Sequence, residues 1–145
     1  MKRIAVVRVE LVKEKNLLVE NKRITSPETA YEILMKHLGR PDREHFVMMC
    51  LNTKNEVTHI HTVSIGTLNT TLIHPRELFK TAILTNSAAI IIAHNHPSGD
   101  PTPSRQDIET TNRLDKAGEI LGINILDHII CGSNSFTSLK AEGLM

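Results

Sequence analysis

Ala88-Ala89-Ile90-Ile91-Ile92-Ala93 is an unbroken apolar run that gives way to His94-Asn95-His96-Pro97-Ser98-Gly99-Asp100-Pro101-Thr102-Pro103-Ser104-Arg105-Gln106-Asp107. The apolar run, rich in β-branched side chains, suits a central strand covered on both faces. Pro97, Pro101 and Pro103 remove backbone donors and fix φ, and with Gly99 they exclude regular structure between Asn95 and Pro103. Ser104 then offers a helix cap, with Asp107 three residues on, and the helical pattern runs to about Leu121 before Gly122 stops it. A buried strand, an irregular loop and a helix in this order form the basic unit of an α/β protein.

Similar units lie on either side. Thr25 with Glu28 fits a capping box, Pro27 suits a first helical turn, and Tyr31, Leu34, Met35 and Leu38 recur at helical spacing up to Gly39. Glu44 opens a strand over Phe46–Leu51, and Asn52 to Asn55 supplies turn chemistry for a hairpin into Val57–Ile65. His74-Pro75-Arg76-Glu77 begins a further helix with Leu78, Phe79, Ala82 and Ile83 as its buried side. Ile123–Cys131 reads as a strand, and Phe136 begins a short edge strand. Upstream, Ile4–Val12 alternates like a first strand, and Lys13 to Arg23 reads as a turn into a short hairpin strand. The expectation is one α/β domain over residues 1–145, with 1–25 as an N-terminal strand and turn extension and a mixed sheet flanked by helices.

Composition narrows the functional classes. The chain has 145 residues, enough for a domain that buries roughly 68–70% of its unfolded surface, and its 40% hydrophobic and 23% charged residues are ordinary globular usage. A net charge of +1 creates no long-range field for nucleic acid or an anionic membrane. One Tyr, three Phe and no Trp supply little for stacking on single-stranded bases. The longest apolar runs, Phe46–Leu51 and Ala88–Ala93, fall far short of the ~20 residues of a membrane-spanning helix. The run after Met1-Lys2-Arg3 ends at Arg8, too soon for a secretory signal. Cys50 and Cys131 sit in apolar strands and read as buried thiols of a reducing compartment, so a cytoplasmic protein is expected.

His94 and His96 lie two apart at a strand end, so both imidazoles point to one side and can share one metal ion. Asp107 follows in the first helical turn, within reach if the Pro/Gly loop folds back, and would be a third ligand. Three protein ligands leave the fourth position of a zinc ion to water, whose pKa falls to about 7 there. Hydrolysis also needs a proton carrier, for which Glu44, Glu56 and Glu77 are candidates that spacing does not separate. Ser104 is placed to donate to an oxyanion. Asp100 is a rival ligand, though Gly99 and Pro101 beside it argue for a turn. His59 and His61 form a second His-x-His without a following loop and acid, and read as a solvent-facing stripe. For Asp127-His128 two readings stay open: orienting a ligand from behind, or ordinary strand-end polarity.

At these residues the chain resembles the JAMM (MPN+/JAB) metalloproteases. His94, His96, Pro97, Pro103, Ser104 and Asp107 meet the pattern H-x-H-P-x(n)-P-S-x-x-D, and His94-Asn95-His96-Pro97-Ser98-Gly99 is similar to the bacterial RadC-like branch. Arg43-Glu44-x-Phe46, Gly66-Thr67, Pro75-Arg76-Glu77 and Leu126-Asp127-His128 look RadC-like as well. The resemblance runs from about Ser26 to the C-terminus. It implies a three-layer α/β/α sandwich with a mixed central sheet, related to the cytidine-deaminase architecture. It further implies Zn2+ held by His94, His96 and Asp107, Glu44 as general acid/base, and Ser104 stabilising the tetrahedral intermediate. Members of the wider family cleave peptide or isopeptide bonds, so a peptide or protein substrate is expected.

With only the residues up to Thr25 ahead of the first helix, the helix-hairpin-helix region that RadC-like proteins usually carry is not expected in this sequence. Asn95 stands where the eukaryotic-type motif commonly has Ser or Thr. The alternative function is a noncatalytic interaction module associated with DNA repair or mobile-element metabolism. A deaminase is disfavoured, since the H-x-E and P-C-x-x-C signature is missing. A sheet edge could pair into a homodimer.

Overall fold

The computed structural model describes residues 1–66 and 73–145, so Thr67 of the Gly66-Thr67 pair lies outside the described residues. The described elements run α1 (Pro27–Leu38), β1 (His45–Leu51), β2 (Val57–Ile65), α2 (Pro75–Leu84), β3 (Ala89–Asn95), α3 (Arg105–Leu121), β4 (Asn124–Cys131) and β5 (Phe136–Ser138). The strands form one sheet in the order β2-β1-β3-β4-β5. β1 is antiparallel to both β2 and β3, β3 is parallel to β4, and β5 returns antiparallel. The sheet is therefore mixed.

Side-chain alternation on β1 divides the core in two. Phe46, Met48 and Cys50 pack with Leu78 and Phe79 of α2 and Leu114 of α3. Val47, Met49 and Leu51 pack with Ala30, Ile33 and Leu34 of α1. One helix on one face and two on the other make the three-layer α/β/α sandwich. Each of these large side chains contributes about 1.5–3 kcal/mol by leaving water. Every residue of β3 is buried, as a central strand requires.

A register irregularity between Ile90 and Ile91 matters for function. Ile90 is opposite Ile125 on β4, but Ile91 is opposite Asp127. The extra residue reverses the facing of β4 beyond it. Ile129 and Cys131 consequently join the α1 side, and His128 faces α3.

Several local expectations are corrected. Ile4–Val12 is not a strand: it pairs with nothing among the described residues, and Ile4, Val6 and Val9 are exposed. Alternation makes a segment able to be a strand, but only a partner's backbone makes it one. Of Lys13 to Arg23, only Arg23 bridges, to Glu56, while Leu17 and Val19 pack on the α1 core. The α1 cap is Ser26 rather than Thr25, because Thr29 supplies the reciprocal hydroxyl, and Pro27 stands in the first turn. On α2, Leu78, Phe79 and Ala82 are buried, but Ile83 is turned off that stripe and exposed.

Cys50 and Cys131 are free and buried, and burial pushes the Cys131 thiol up to about 12. No helix among the described residues is long and apolar enough to cross a membrane.

Candidate metal centre

The site lies where β3 ends and α3 begins. His94 is on β3 and His96 is one step past its end, so the pleat turns both imidazoles toward α3 and brings their Nε2 atoms to 3.0 Å. The loop that follows is held against the β4–β5 turn, where Ser133 N–H donates to Gly99 O at 3.0 Å. A Cβ on Gly132 would come to 2.5 Å from that same oxygen and 2.9 Å from Pro101, so the close approach depends on glycine. This fold-back delivers the start of α3 to the end of β3.

Asp107 arrives by way of its cap. Ser104 Oγ accepts from Asp107 N–H at 3.0 Å, and Asp107 Oδ2 accepts from Ser104 N–H at 2.8 Å. These reciprocal bonds fix the carboxylate at the positive end of the α3 dipole, where an anion is favoured. Asp107 Oδ1 then lies 3.2 Å from His94 Nε2, and Oδ2 lies 3.3 Å from His96 Nε2.

The three side chains meet a test for a metal. They form a triangle: the Nε2 atoms of His94 and His96 are 3.0 Å apart, and each faces a different oxygen of Asp107, His94 facing Oδ1 at 3.2 Å and His96 facing Oδ2 at 3.3 Å. A tetrahedral site with arms of about 2.0–2.1 Å has edges of roughly 3.3–3.4 Å, so these separations are close to those of donors that share one ion. Proton placement agrees. His96 Nδ1 lies 2.8 Å from Asp100 O, a pure acceptor, and so carries a hydrogen, which leaves Nε2 as the nitrogen a metal would take. Imidazole and carboxylate lone pairs converging at 3 Å repel one another unless a cation or protons lie between them. His94, His96 and Asp107 could therefore hold a metal ion.

The charges show this mutual dependence. Burial acts to raise the Asp107 pKa, but the imidazoles of His94 and His96 outweigh it and hold the carboxyl well below the usual carboxylate range. The Asp107 carboxylate in turn raises the His96 pKa against the effect of burial.

Glu44, just ahead of β1, borders the triangle, with Oε1 4.0 Å from His94 Nε2 and its side chain 22% exposed. It is too distant to complete the three-donor face and near enough to act on something bound there. Glu56 is past the far end of β1, hydrogen-bonded to Asn52 and paired with Lys22. Glu77 is paired with Lys80 on α2. Asp100 is a turn residue whose carboxylate accepts from Thr102 N–H and hydroxyl. His59 and His61 are exposed on β2.

Three further residues support the site: Asn95 and Thr111, which were not identified from the sequence, and His128, for which the sequence left two readings open. Asn95 Nδ2 donates to Arg43 O at 3.0 Å, and Asn95 Oδ1 accepts from His45 N–H at 2.7 Å. One amide thus grips the backbone on both sides of Glu44. Its place between two metal-facing histidines was a usable signal, since alternation sends it to the opposite side. His128, left open above, has Nε2 2.7 Å from His94 Nδ1, and its Nδ1 is 2.6 Å from Thr111 Oγ1. Burial first, then the neighbouring His94, holds the His128 pKa well below its ordinary value. Thr111 is four residues after Asp107, on the same helix face, which was legible as spacing though not as a contact. Asp127 instead accepts from Ser138 Oγ and from the backbone of His128 and Lys140, and so braces the turn after β5.

Comparison with known proteins agrees with this architecture. The family model for the RadC-like JAB domain matches residues 24–144. A UPF0758 protein of Desulforamulus reducens is 58% identical over 122 residues, covering 84% of this chain and 54% of the relative. One from Desulforudis audaxviator is 59% identical over 121 residues, 83% of this chain and 53% of the relative. UPF0758 protein TTE0897 of Caldanaerobacter subterraneus is 52% identical over 124 residues, 86% and 53% of the two chains. The chain thus spans about half the length of the curated relatives it matches. On the match over 24–144 and these identities, the chain belongs to the RadC-like JAB domain family.

Proposed function

We propose that this domain is a zinc-dependent metallohydrolase of the JAMM type that cleaves a peptide or isopeptide bond. The observation that carries the reading is the donor triangle of His94, His96 and Asp107 with the Glu44 carboxylate at its border. Zinc, when bound, supplies Lewis-acid polarisation and brings the acidity of water into the neutral range. The residues do the rest. His94, His96 and Asp107 hold the ion. Glu44 takes a proton from the attacking water and returns it to the leaving amine. Ser104 Oγ uses its lone pairs for the cap, so its own proton is free for the oxyanion of the tetrahedral intermediate. A groove of about 280 Å3 on the α1 side of the strand end, bordered by Met35, Arg40, Pro97 and Asn134, reaches His96.

The test is cleavage of an unbiased peptide and isopeptide library by zinc-loaded protein. Cleavage should stop on chelation and return when zinc is restored. Cleavage that continues in excess chelator counts against the proposal.

Asn95 provides a prediction of its own. Asn95→Ala frees the backbone on both sides of Glu44 while leaving all three metal donors in place. Turnover should fall about 10–100-fold, the usual effect of removing a residue that orients the working groups. Metal content, measured by elemental analysis, should stay at the wild-type level. Equal losses of metal and turnover would show that Asn95 serves the ion rather than Glu44.

A further inference from the structure

We infer that His128, backed by Thr111, is a positioning residue that fixes which nitrogen of His94 is offered to a cation. The inference rests on the metal-centre reading above and extends it to two side chains that offer no donor atom to the ion and do not line the groove.

The argument is a count of protons along a chain of short contacts. Thr111 Oγ1 lies 2.8 Å from Asp107 O. A carbonyl only accepts, so the single hydroxyl proton of Thr111 is committed there. His128 Nδ1, 2.6 Å from the same hydroxyl oxygen, must then bring its own proton and donate. A neutral His128 has no second proton, so its Nε2 is an acceptor. His94 Nδ1, 2.7 Å from that Nε2, must donate in its turn. The proton of His94 is thereby held on Nδ1, and the lone pair of Nε2 is left pointing at His96 and Asp107. A second proton on His128 would place a buried cation with no carboxylate in contact, since the Asp127 carboxylate is taken by Ser138 and by backbone N–H groups.

The chain also closes on itself. It starts at the backbone of Asp107 and ends at the ring of His94, whose Nε2 lies 3.2 Å from the Asp107 carboxylate. One side of the donor triangle is thus spanned a second time, from behind. His128 and Thr111 are fully buried among apolar neighbours, Phe46 lying edge-on to the His128 ring. Polar groups in such surroundings cost stability unless paired, and an apolar pair would fill the space without that cost. The pairing here has a direction, and it ends on a ligand.

The experiment combines zinc affinity, by competition with a chromophoric chelator, with nitrogen NMR of ring-labelled histidine. In the zinc-loaded wild type, His94 should carry its proton on Nδ1, and His128 should carry its single proton on Nδ1 with Nε2 bare. Thr111→Val removes the acceptor behind His128, and zinc affinity should fall about 10–100-fold, with Thr111→Ser restoring it. His128→Phe should show a similar loss.

A wild-type spectrum with the proton of His128 on Nε2 overturns the inference, and needs no variant to fold. Unchanged affinity in folded Thr111→Val overturns it as well. These failures differ from failure of the metal-centre reading, in which the wild type itself would take up no zinc and both conclusions would fall.

Discussion

Glu44→Gln is expected to keep its zinc and to lose hydrolysis by about 10²–10⁴-fold, the range attributed to a positioned proton carrier. Glutamine has nearly the shape of glutamate and can still hydrogen-bond, but it cannot accept and release a proton at neutral pH. Glu44 lies 4.0 Å from His94 Nε2, outside the donor triangle, so metal retention should not depend on it. The measurements are metal content per chain and kcat on whichever substrate the library yields. Undiminished turnover would assign the proton transfer to another group. Metal retained in both proteins, with no cleavage by either, would favour a noncatalytic interaction module.

His96→Ala should reduce the metal content of the purified protein from about one ion per chain to nearly none, since three protein ligands are the usual complement of a catalytic zinc site. His96 is the most informative ligand to remove. It is half-buried, whereas His94 is 1% exposed and tied to His128, so replacing His94 would also open a core cavity. The His96→Ala fold should therefore survive, as judged by circular dichroism and an unchanged denaturant slope. Metal content equal to wild type in a folded variant would dismantle the triangle as a binding site.

The two variants separate the functions of the site. One abolishes the proton carrier and keeps the ion; the other abolishes the ion and keeps the carrier. A double variant should be no slower than His96→Ala alone, because groups that act as a unit are not additive.

Much of this was present in the chain as local pattern. The apolar run ending at Ala93, the His-x-His parity, the proline-rich loop and the Ser104/Asp107 cap are relations between residues close in sequence. Backbone geometry alone converts them into a strand end facing a helix start. The resemblance to a known motif added Glu44, which periodicity left level with Glu56 and Glu77. The failures have the same origin. Ile4–Val12 has the alternation of a strand and the Thr25/Glu28 pair has the letters of a cap, but pairing and capping depend on which partner is within reach.

Sequence by itself determined the layered α/β class, the candidate ligands His94, His96 and Asp107, and the course of the chain between them. Tertiary structure decided which carboxylate borders the triangle, that Asn95 grips the backbone around Glu44, and that His128 and Thr111 stand behind His94. The reason is physical. These contacts join residues 17 to 52 positions apart, brought together by strand registers that core packing sets, and one irregularity opposite Ile90 and Ile91 turns His128 toward α3.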